Sequence, residues 1–261
     1  TDHTPGFGSA AKYVASTVRE ITLDANVYEK KSVTIIEIMG RHAGWLTAAS
    51  ALARKYDGDN PLFIYLPETD FDQEAFLKDL EKAFETNCNL IVCVSEGIHD
   101  AEGTFICEYD SSVGTDTFGH KMLAGCGKYL ENLVRSRLGV KARSVELNVS
   151  QRCSAAMISA TDQQEAVAAG KFGVQAALNG EPGKMVSFIR EADADGNYQM
   201  VCGLEDVNEI CNQEKVVPAE WIAPDGHDVT EDFVRYARPL IQGNVNVPLG
   251  EDGLPAFVYR K

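Results

Sequence analysis

Residues Val33-Thr-Ile-Ile-Glu-Ile38 form a dense run of β-branched side chains, which leads directly into Met39-Gly-Arg-His-Ala-Gly-Trp45. The run is short and almost continuously apolar, which is typical of a strand that is covered on both faces. The glycines after it permit a tight turn, and a helix is predicted to begin near Gly44. A strand that ends in a glycine turn and feeds a helix is the unit from which parallel α/β sheets are built.

The same alternation continues along the chain. Further strands are predicted at Leu62–Leu66, Leu90–Val94 and Ala142–Leu147, each short and rich in β-branched residues. Apolar residues at helical spacing predict the intervening helices, which are Ala10–Ile21, Phe76–Phe84, Met122–Leu138 and residues 163–178. The predicted fold class is therefore α/β, with doubly wound, mostly parallel sheets and helices on both faces.

Signals for the ends of elements accompany this pattern. Asp70-x-x-Gln73 before the second helix is typical of a capping box, and Asn179-Gly180 is predicted to close the fourth helix. Beyond Pro182 the pattern changes to a hairpin around Asp195-Gly196-Asn197. A last helix is predicted over Thr230–Ile241, with the threonine as its cap.

The bulk composition excludes several classes of partner. The chain has 24 basic and 39 acidic residues and a formal net charge of −15, so neither nucleic acid nor an anionic membrane is an expected partner. A phosphate site would have to be a local cluster of arginine and lysine acting against this field. The seven cysteines are scattered without CxxC spacing, which is typical of reduced thiols and predicts a cytoplasmic protein.

Parallel sheets bind ligands at the carboxyl ends of their strands, and polar groups follow or flank three of the predicted strands. Arg41 comes after Gly40, where a helix start favours an anion and a guanidinium offers a forked donor. Glu96 can accept hydrogen bonds from sugar hydroxyls, and Arg143 and Arg152 bracket the last strand. A surface arginine in a glycine-rich turn, an isolated glutamate and two solvated arginines would show the same spacings, so both interpretations stay open on this ground.

Several motifs together resemble the phosphofructokinase family. Ile38-Met-Gly-Arg-His-Ala-Gly-Trp-Leu46 is similar to the family's Met-Gly-Arg signature, and Thr1-Asp-His-Thr-Pro-Gly-Phe-Gly8 resembles the segment after its catalytic TxDND loop. Val94-Ser-Glu-Gly97 and Gln151-Arg152 follow in the family's order at suitable distances. The resemblance runs from Thr1 to about residue 180.

This resemblance implies a phosphofructokinase-like fold and the phosphorylation of D-fructose 6-phosphate at O1, in glycolysis, to fructose 1,6-bisphosphate. The implied donor is pyrophosphate or ATP, the implied cofactor is Mg²⁺, and the implied assembly is a homo-oligomer, either a dimer or a tetramer. Met39, Gly40 and Arg41 match the residues that contact fructose 6-phosphate in the family. Arg41 would also face the transferring phosphoryl group and is the expected catalytic residue.

The other matched residues are implied to complete the sugar-phosphate site. Glu96 corresponds to the glutamate that holds the sugar hydroxyls. Arg143 corresponds to an arginine that reaches from a neighbouring subunit to the 6-phosphate, and Arg152 to the arginine that closes the site. We therefore expect Arg41, Glu96 and Arg152 to converge on one cleft.

The chain also departs from the family pattern. Val149 stands where many members place His or Tyr, so a polar contact to the sugar phosphate is lost or replaced. Ser32 aligns with a second cross-subunit arginine, for which Lys30 or Lys31 would substitute only as a point charge. Cys153-Ser154 replaces the usual pair of glycines.

The resemblance places the donor loop and the aspartates of TxDND upstream of Thr1, so the chain is interpreted as a fragment or a partly ordered chain that does not turn over alone. Trp45 within Gly40-Arg-His-Ala-Gly-Trp45 looks more like the pyrophosphate-dependent branch than the ATP-dependent one. A non-catalytic sugar-phosphate-binding or regulatory subunit of the same fold is the alternative from another class. A periplasmic-type sugar-binding protein is disfavoured by the free cysteines.

The expected domain organisation follows the same resemblance. Residues 1–32 are predicted to end the donor-side domain, and residues 33–150 to form the sugar-phosphate-binding α/β domain. Residues 151–261 are predicted to return to the first domain and to add the hairpin and the last helix.

Overall fold

The computed structural model describes residues 1–109 and 125–257. It separates into two compact units. The first unit is built from Thr1–Tyr13, Gln151–Gln213 and Tyr236–Lys261, and the second from Val14–Ser150 and Glu214–Arg235. Residues 14–32, which the sequence assigned to the donor side, are grouped by this division with the second unit.

The second unit contains a four-stranded parallel sheet. Its strands are β1 (Ser32–Ile38), β2 (Phe63–Tyr65), β3 (Asn89–Ser95) and β4 (Lys141–Glu146). They are ordered β2-β3-β1-β4, and every pair of neighbours is parallel. All four predicted strands are present, and the predicted α/β class is confirmed.

Helices cover both faces of this sheet. They include α1 (Phe7–Ala25), α2 (Trp45–Ala48), α3 (Gln73–Ala83) and α4 (Cys126–Leu138). On one face Val33 and Ile35 pack in a buried apolar cluster with Leu80 of α3 and Leu130 of α4. Each fully buried side chain of this kind contributes roughly 1.5–3 kcal/mol. On the other face α1 lies close enough for its Asp24 to approach Arg143 of β4 at 3.6 Å.

The first unit contains the long helix α5 (Ala160–Leu178) and the predicted hairpin. The hairpin strands are β5 (Lys184–Ala192) and β6 (Tyr198–Asp206), which pair antiparallel. Asp193 closes the turn between them by accepting the backbone N–H groups of Asp195 and Asn197. Short helices complete the described residues: α6 (Val207–Ile210), α7 (Glu231–Ala237) and 3-10 turns at Ala49–Ala53, Ile106–Tyr109, Asn148–Arg152, Ala155–Met157, Ala219–Trp221 and Arg238–Ile241.

The predicted last helix is shorter than Thr230–Ile241, and the Thr230 side chain does not cap it. It spans Glu231–Ala237 and continues only as a 3-10 turn, because Pro239 has no N–H to donate. The Thr230 hydroxyl is buried without a hydrogen-bond partner in the part of the chain that the structure describes, so it does not cap the helix. Of the third predicted helix, Met122 lies outside the described residues.

None of the helices within residues 1–109 and 125–257 has the length and apolar character that crossing a bilayer requires.

The capping residue of α3 also differs from the prediction. Asp72, and not Asp70, accepts hydrogen bonds from the N–H groups of Glu74 and Ala75, at 2.8 and 2.9 Å. The carboxylate must stand directly before the first helical turn to reach these donors, and Asp70 is two residues too early.

Replacing this cap has a measurable expected cost. Asp72→Ala should lower the free energy of unfolding by about 1 kcal/mol, because two N–H groups lose their acceptor. Asp70→Ala is the matched control and should change it by less than half as much. Urea denaturation of both variants measures the difference, and equal effects would contradict the assignment of the cap.

Candidate functional site

A cavity of about 150 Å³ lies within the second unit, at the carboxyl ends of β1, β3 and β4. Its lining combines one arginine, three glutamates and an asparagine with two thiols and a glycine. These residues are Glu37, Arg41, Glu96, Cys107, Gly125, Cys126, Glu146 and Asn148. The structure thus brings Arg41 and Glu96 together at the edge where a parallel sheet binds ligands.

Two loops that follow neighbouring strands form one wall of the cavity. Gly40 has a φ of +152°, a backbone conformation that residues other than glycine rarely adopt. Its N–H donates to Glu96 Oε1 at 3.3 Å. The Ser95 hydroxyl donates to the carbonyl of Gly40. A Cβ on Gly97 would lie 1.8 Å from the carbonyl oxygen of Arg41. The two backbones therefore meet in direct contact, which only glycine at position 97 allows.

Among the residues that the structure describes, Arg41 is the basic side chain that lines this cavity. Its side chain is exposed, and the guanidinium carbon lies 5.7 Å from the centre of the Phe105 ring. A guanidinium over an aromatic face is attracted to the ring, and the N–H groups at the edge of the guanidinium stay available. The guanidinium can therefore present a forked donor to an anion.

Glu37 was not among the predicted site residues, although it lines the same cavity. It is only 7% exposed, and its Oε2 accepts the N–H of Gly127 in the first turn of α4 at 2.7 Å. Burial raises the pKa of its carboxyl, the Gly127 hydrogen bond opposes this, and the charges of Glu146 and Glu96 raise it further. A charged residue within an apolar strand is the signal by which the sequence could have revealed it.

Glu146 and Asn148 also line the cavity without having been predicted. Glu146 is the last residue of β4, it is exposed, and its Oε2 accepts a hydrogen bond from Asn148 Nδ2 at 3.2 Å. Neither residue belongs to the motifs on which the family resemblance was based. Only the pairing of β4 beside β1 places them next to Arg41.

Arg143 and Arg152, the other predicted anion ligands, do not line this cavity. Arg143 lies near the beginning of β4, where its Nε donates to Thr34 Oγ1 at 3.2 Å. It therefore lies nearer the amino ends of the strands, whereas Arg41 follows the carboxyl end of β1. Arg152 ends a 3-10 turn and is assigned to the first unit, so its expected convergence with Arg41 and Glu96 stays a prediction.

Other sequence signals are accounted for by packing. The Trp45 indole donates to the carbonyl of Lys215 at 2.7 Å and packs against Trp221 and Phe233. Trp45 is not among the described residues that line the cavity. Ser32 is buried and donates to Asn89 Oδ1 at 2.8 Å.

The residues of the cavity do not fit a metal site. Over residues 1–109 and 125–257 no group of three or more His, Cys, Asp or Glu side chains could hold an ion. Glu37, Glu96 and Glu146 line one cavity but do not form such a group.

Comparison with known proteins agrees with these features. The family profile described as "Phosphofructokinase" matches residues 1–177, which is more than half of the chain. The chain belongs to the phosphofructokinase family. The earlier resemblance is thereby confirmed, and the Met39-Gly-Arg41 loop and Glu96 lie within the matched residues.

Two relatives of this phosphofructokinase-family chain match it over nearly its whole length and carry the same name. It is 41% identical over its whole length to the pyrophosphate–fructose 6-phosphate 1-phosphotransferase of Xanthomonas campestris pv. campestris, and covers 62% of that protein. The enzyme of the same name from Methylococcus capsulatus is 38% identical, with 99% of this chain and 60% of that protein covered. The chain thus spans about three fifths of the length of the relatives it matches.

A solved structure shows the same fold. The pyrophosphate-dependent phosphofructokinase from Marinobacter aquaeolei superposes with a TM-score of 0.84 at 32% identity, covering 100% of this chain and 63% of its own.

The contact between the two phosphofructokinase loops can be tested by adding one methyl group. Gly97→Ala should destabilise the chain by roughly 1–3 kcal/mol, because the Cβ would overlap backbone atoms that cannot rotate away. Gly170→Ala is the control, since a Cβ at that helical position meets nothing within 4 Å and alanine favours a helix. Thermal or urea unfolding distinguishes the two, and a neutral Gly97→Ala would contradict the geometry.

The buried carboxyl of Glu37 predicts an unusual dependence of stability on pH. Its pKa is raised in the folded chain, so the folded state binds this proton more tightly than the unfolded state does. Its contribution to stability is complete below the ordinary glutamate pKa and is lost as pH rises through the raised value. Glu37→Gln keeps an oxygen for Gly127 and removes this loss, so the variant should gain stability relative to the parent as pH rises from 4 to 8.

Urea denaturation across this pH range, with the exposed Glu85→Gln as control, measures the gain. If the free energy of unfolding of Glu37→Gln, relative to that of the parent, falls as pH rises, the assignment is contradicted.

Proposed function

We propose that the protein transfers a phosphoryl group from pyrophosphate to O1 of D-fructose 6-phosphate, giving fructose 1,6-bisphosphate and orthophosphate, as a step of glycolysis. The observation that carries the proposal is that Arg41 and Glu96, on loops after two neighbouring strands, line one cavity in a chain of the phosphofructokinase family. An anion donor fork and a hydroxyl acceptor side by side match the chemistry of a sugar phosphate.

Arg41 and Glu96 have separate tasks in this proposal. In the reaction a bond forms between O1 and phosphorus, the bridging P–O bond of pyrophosphate breaks, and the O1 proton leaves. Arg41 offsets the negative charge on the phosphoryl group while it is transferred. Stabilising this charge is the largest contribution that a protein makes to phosphoryl transfer. Glu96 accepts hydrogen bonds from the sugar hydroxyls and so orients O1.

Met39 and Gly40 complete the contact with the sugar phosphate. The left-handed conformation of Gly40 brings its loop against Glu96, whose Oε1 accepts the Gly40 N–H. This contact supports an arrangement in which the two loops hold the sugar together. The base that takes the O1 proton is expected to be an aspartate of the family's TxDND loop.

The choice of pyrophosphate is supported mainly by the relatives, and by Trp45 only through its resemblance to the family's motif. The relatives from X. campestris and M. capsulatus, which match nearly the whole chain, both carry pyrophosphate in their names. Trp45 packs between aromatic rings of its own unit, so it favours this branch only as a family signature.

Arg143 is proposed to act on the 6-phosphate of a neighbouring subunit. Within its own chain it pairs with Asp24 at 3.6 Å, away from the cavity, and its side chain stays partly exposed. This position supports a homo-oligomer, a dimer or tetramer, in which one subunit completes the site of the next. Arg152 is proposed to close the same site.

Mg²⁺ belongs to the proposed activity but not to the steps that this chain performs. The described residues do not form a metal-ligating group. When bound, the ion would neutralise charge on the donor phosphates. The seven free cysteines support a reducing, cytoplasmic compartment for the enzyme.

The proposal is tested by assaying the full-length protein with fructose 6-phosphate and each donor separately, at matched Mg²⁺. We expect a higher kcat/KM with pyrophosphate than with ATP. Glu96→Gln should raise the KM for fructose 6-phosphate about 10- to 100-fold, because a charged hydrogen-bond acceptor is lost. Arg143→Ala should raise it by a similar factor, and the exposed control Glu85→Gln should leave it unchanged.

The outcomes separate the alternatives. A kcat/KM for ATP at or above that for pyrophosphate would overturn the donor and leave the acceptor site intact. Binding of fructose 6-phosphate without turnover by either donor would favour the non-catalytic subunit. An unchanged KM in Glu96→Gln would contradict the acceptor site itself.

A further inference from the structure

Two glutamates of the cavity stand directly beside each other on neighbouring strands. Glu37 of β1 and Glu146 of β4 are register partners in the parallel sheet. Glu37 Oε2 and Glu146 Oε1 each lie 2.6 Å from the point that a Cβ on Gly125 would occupy. The two oxygens are therefore no further apart than twice that distance. Like charges at paired positions destabilise a sheet, so this arrangement has an electrostatic cost.

The two carboxylates are held differently. Glu37 is buried, and its Oε2 accepts the Gly127 N–H at 2.7 Å. Glu146 is exposed to the cavity, and Asn148 donates to its Oε2 at 3.2 Å. Its Oε1 receives no hydrogen bond from residues 1–109 or 125–257 among the bonds that the structure shows. The pair thus presents Glu146 Oε1 to the cavity as an acceptor that no described residue occupies.

Two independent features connect this acceptor with the sugar site. Glu146 lines the same cavity as Arg41 and Glu96. Because β4 and β3 flank β1 on opposite sides, Glu96 and Glu146 approach the cavity from opposite sides of the Arg41 loop. A ligand that donates a hydrogen bond to Glu146 would relieve its repulsion with Glu37, whereas an anionic group on that side would increase it.

We propose that Glu146 is a specificity-determining residue, whose Oε1 accepts a hydrogen bond from a hydroxyl of the sugar phosphate on the side opposite Glu96. Glu37 and Asn148 are positioning residues that hold the carboxylate toward this hydroxyl. The site consequently selects a phosphorylated polyol that carries hydroxyl donors on two sides, and it directs the phosphate away from Glu146. This inference rests on the proposed function and adds a second acceptor to it.

Substrate epimers distinguish a specific acceptor from general electrostatics. D-Psicose 6-phosphate differs from fructose 6-phosphate only in the configuration at C3, and D-tagatose 6-phosphate only in the configuration at C4. Both keep the phosphate. The dissociation constants of all three compounds are measured by calorimetry with the full-length protein, its Glu146→Ala and Glu146→Gln variants, Glu96→Gln, and Glu85→Gln. The Glu85→Gln control makes the same change of net charge at an exposed site outside the cavity.

The parent is expected to prefer fructose 6-phosphate over at least one epimer by about 10- to 100-fold, the range for a hydrogen bond to a charged group. Glu146→Ala should bring that ratio close to 1 by weakening fructose 6-phosphate and not the epimer. Glu146→Gln, which keeps an oxygen acceptor, should restore part of the preference. Glu85→Gln should behave like the parent, and Glu96→Gln should weaken fructose 6-phosphate while the preference that depends on Glu146 persists.

Failure of the inference and failure of the proposed function give different results. If the parent binds fructose 6-phosphate and Glu96→Gln weakens it, but Glu146→Ala keeps the parent's preference, only the role of Glu146 is overturned. If Glu146→Ala tightens all three compounds equally, Glu146 acts by bulk repulsion and the inference is also wrong. If the parent binds none of them, the proposed function falls, and the inference with it.

Discussion

The backbone of Arg41 lies directly against Gly97, and the rest of the cavity depends on this contact. A Cβ at position 97 would overlap the Arg41 carbonyl at 1.8 Å, so the loops after β1 and β3 can approach only because one of them carries glycine. The same approach brings the Gly40 N–H to Glu96. Arg41 and Glu96 are therefore held by main-chain geometry, which has little freedom to relax, and not by flexible side-chain contacts alone.

Negative charge opposes the binding of an anion in this cavity, both across the whole chain and within the cavity itself. The chain carries a formal net charge of −15, and the cavity adds three glutamates around one arginine. Among the described residues, an anionic group is attracted only where Arg41 outweighs these carboxylates, so its position is restricted more sharply than in a uniformly basic pocket. The burial of Glu37 contributes to this restriction, because a carboxyl fixed beside Glu146 limits where that side chain can turn. The stability that is lost to such a pair is typical of sites selected for binding rather than for folding.

Much of the fold could be predicted because it depends on local patterns. The four apolar strand runs and the helix stripe of Ala10, Val14 and Val18 follow from side-chain periodicity alone, and the structure confirms them. The ends of elements were predicted less well. Asp70 and Asp72 are both plausible caps by residue type, and only the helical start at Gln73 decides between them. Thr230 likewise has the residue type of a cap, but burial leaves its hydroxyl without the expected partner in the described residues.

The sequence by itself determined the family, the α/β class and the two strand-end residues Arg41 and Glu96, because each depends on a motif of consecutive residues. Only the tertiary structure decided that Glu37 and Glu146 join them. These two glutamates are more than a hundred residues apart, and they become neighbours because β4 pairs with β1 in one register. A shift of that register by one residue would turn Glu146 to the other face of the sheet. Strand pairing is a long-range choice of the whole core, and no local pattern contains it.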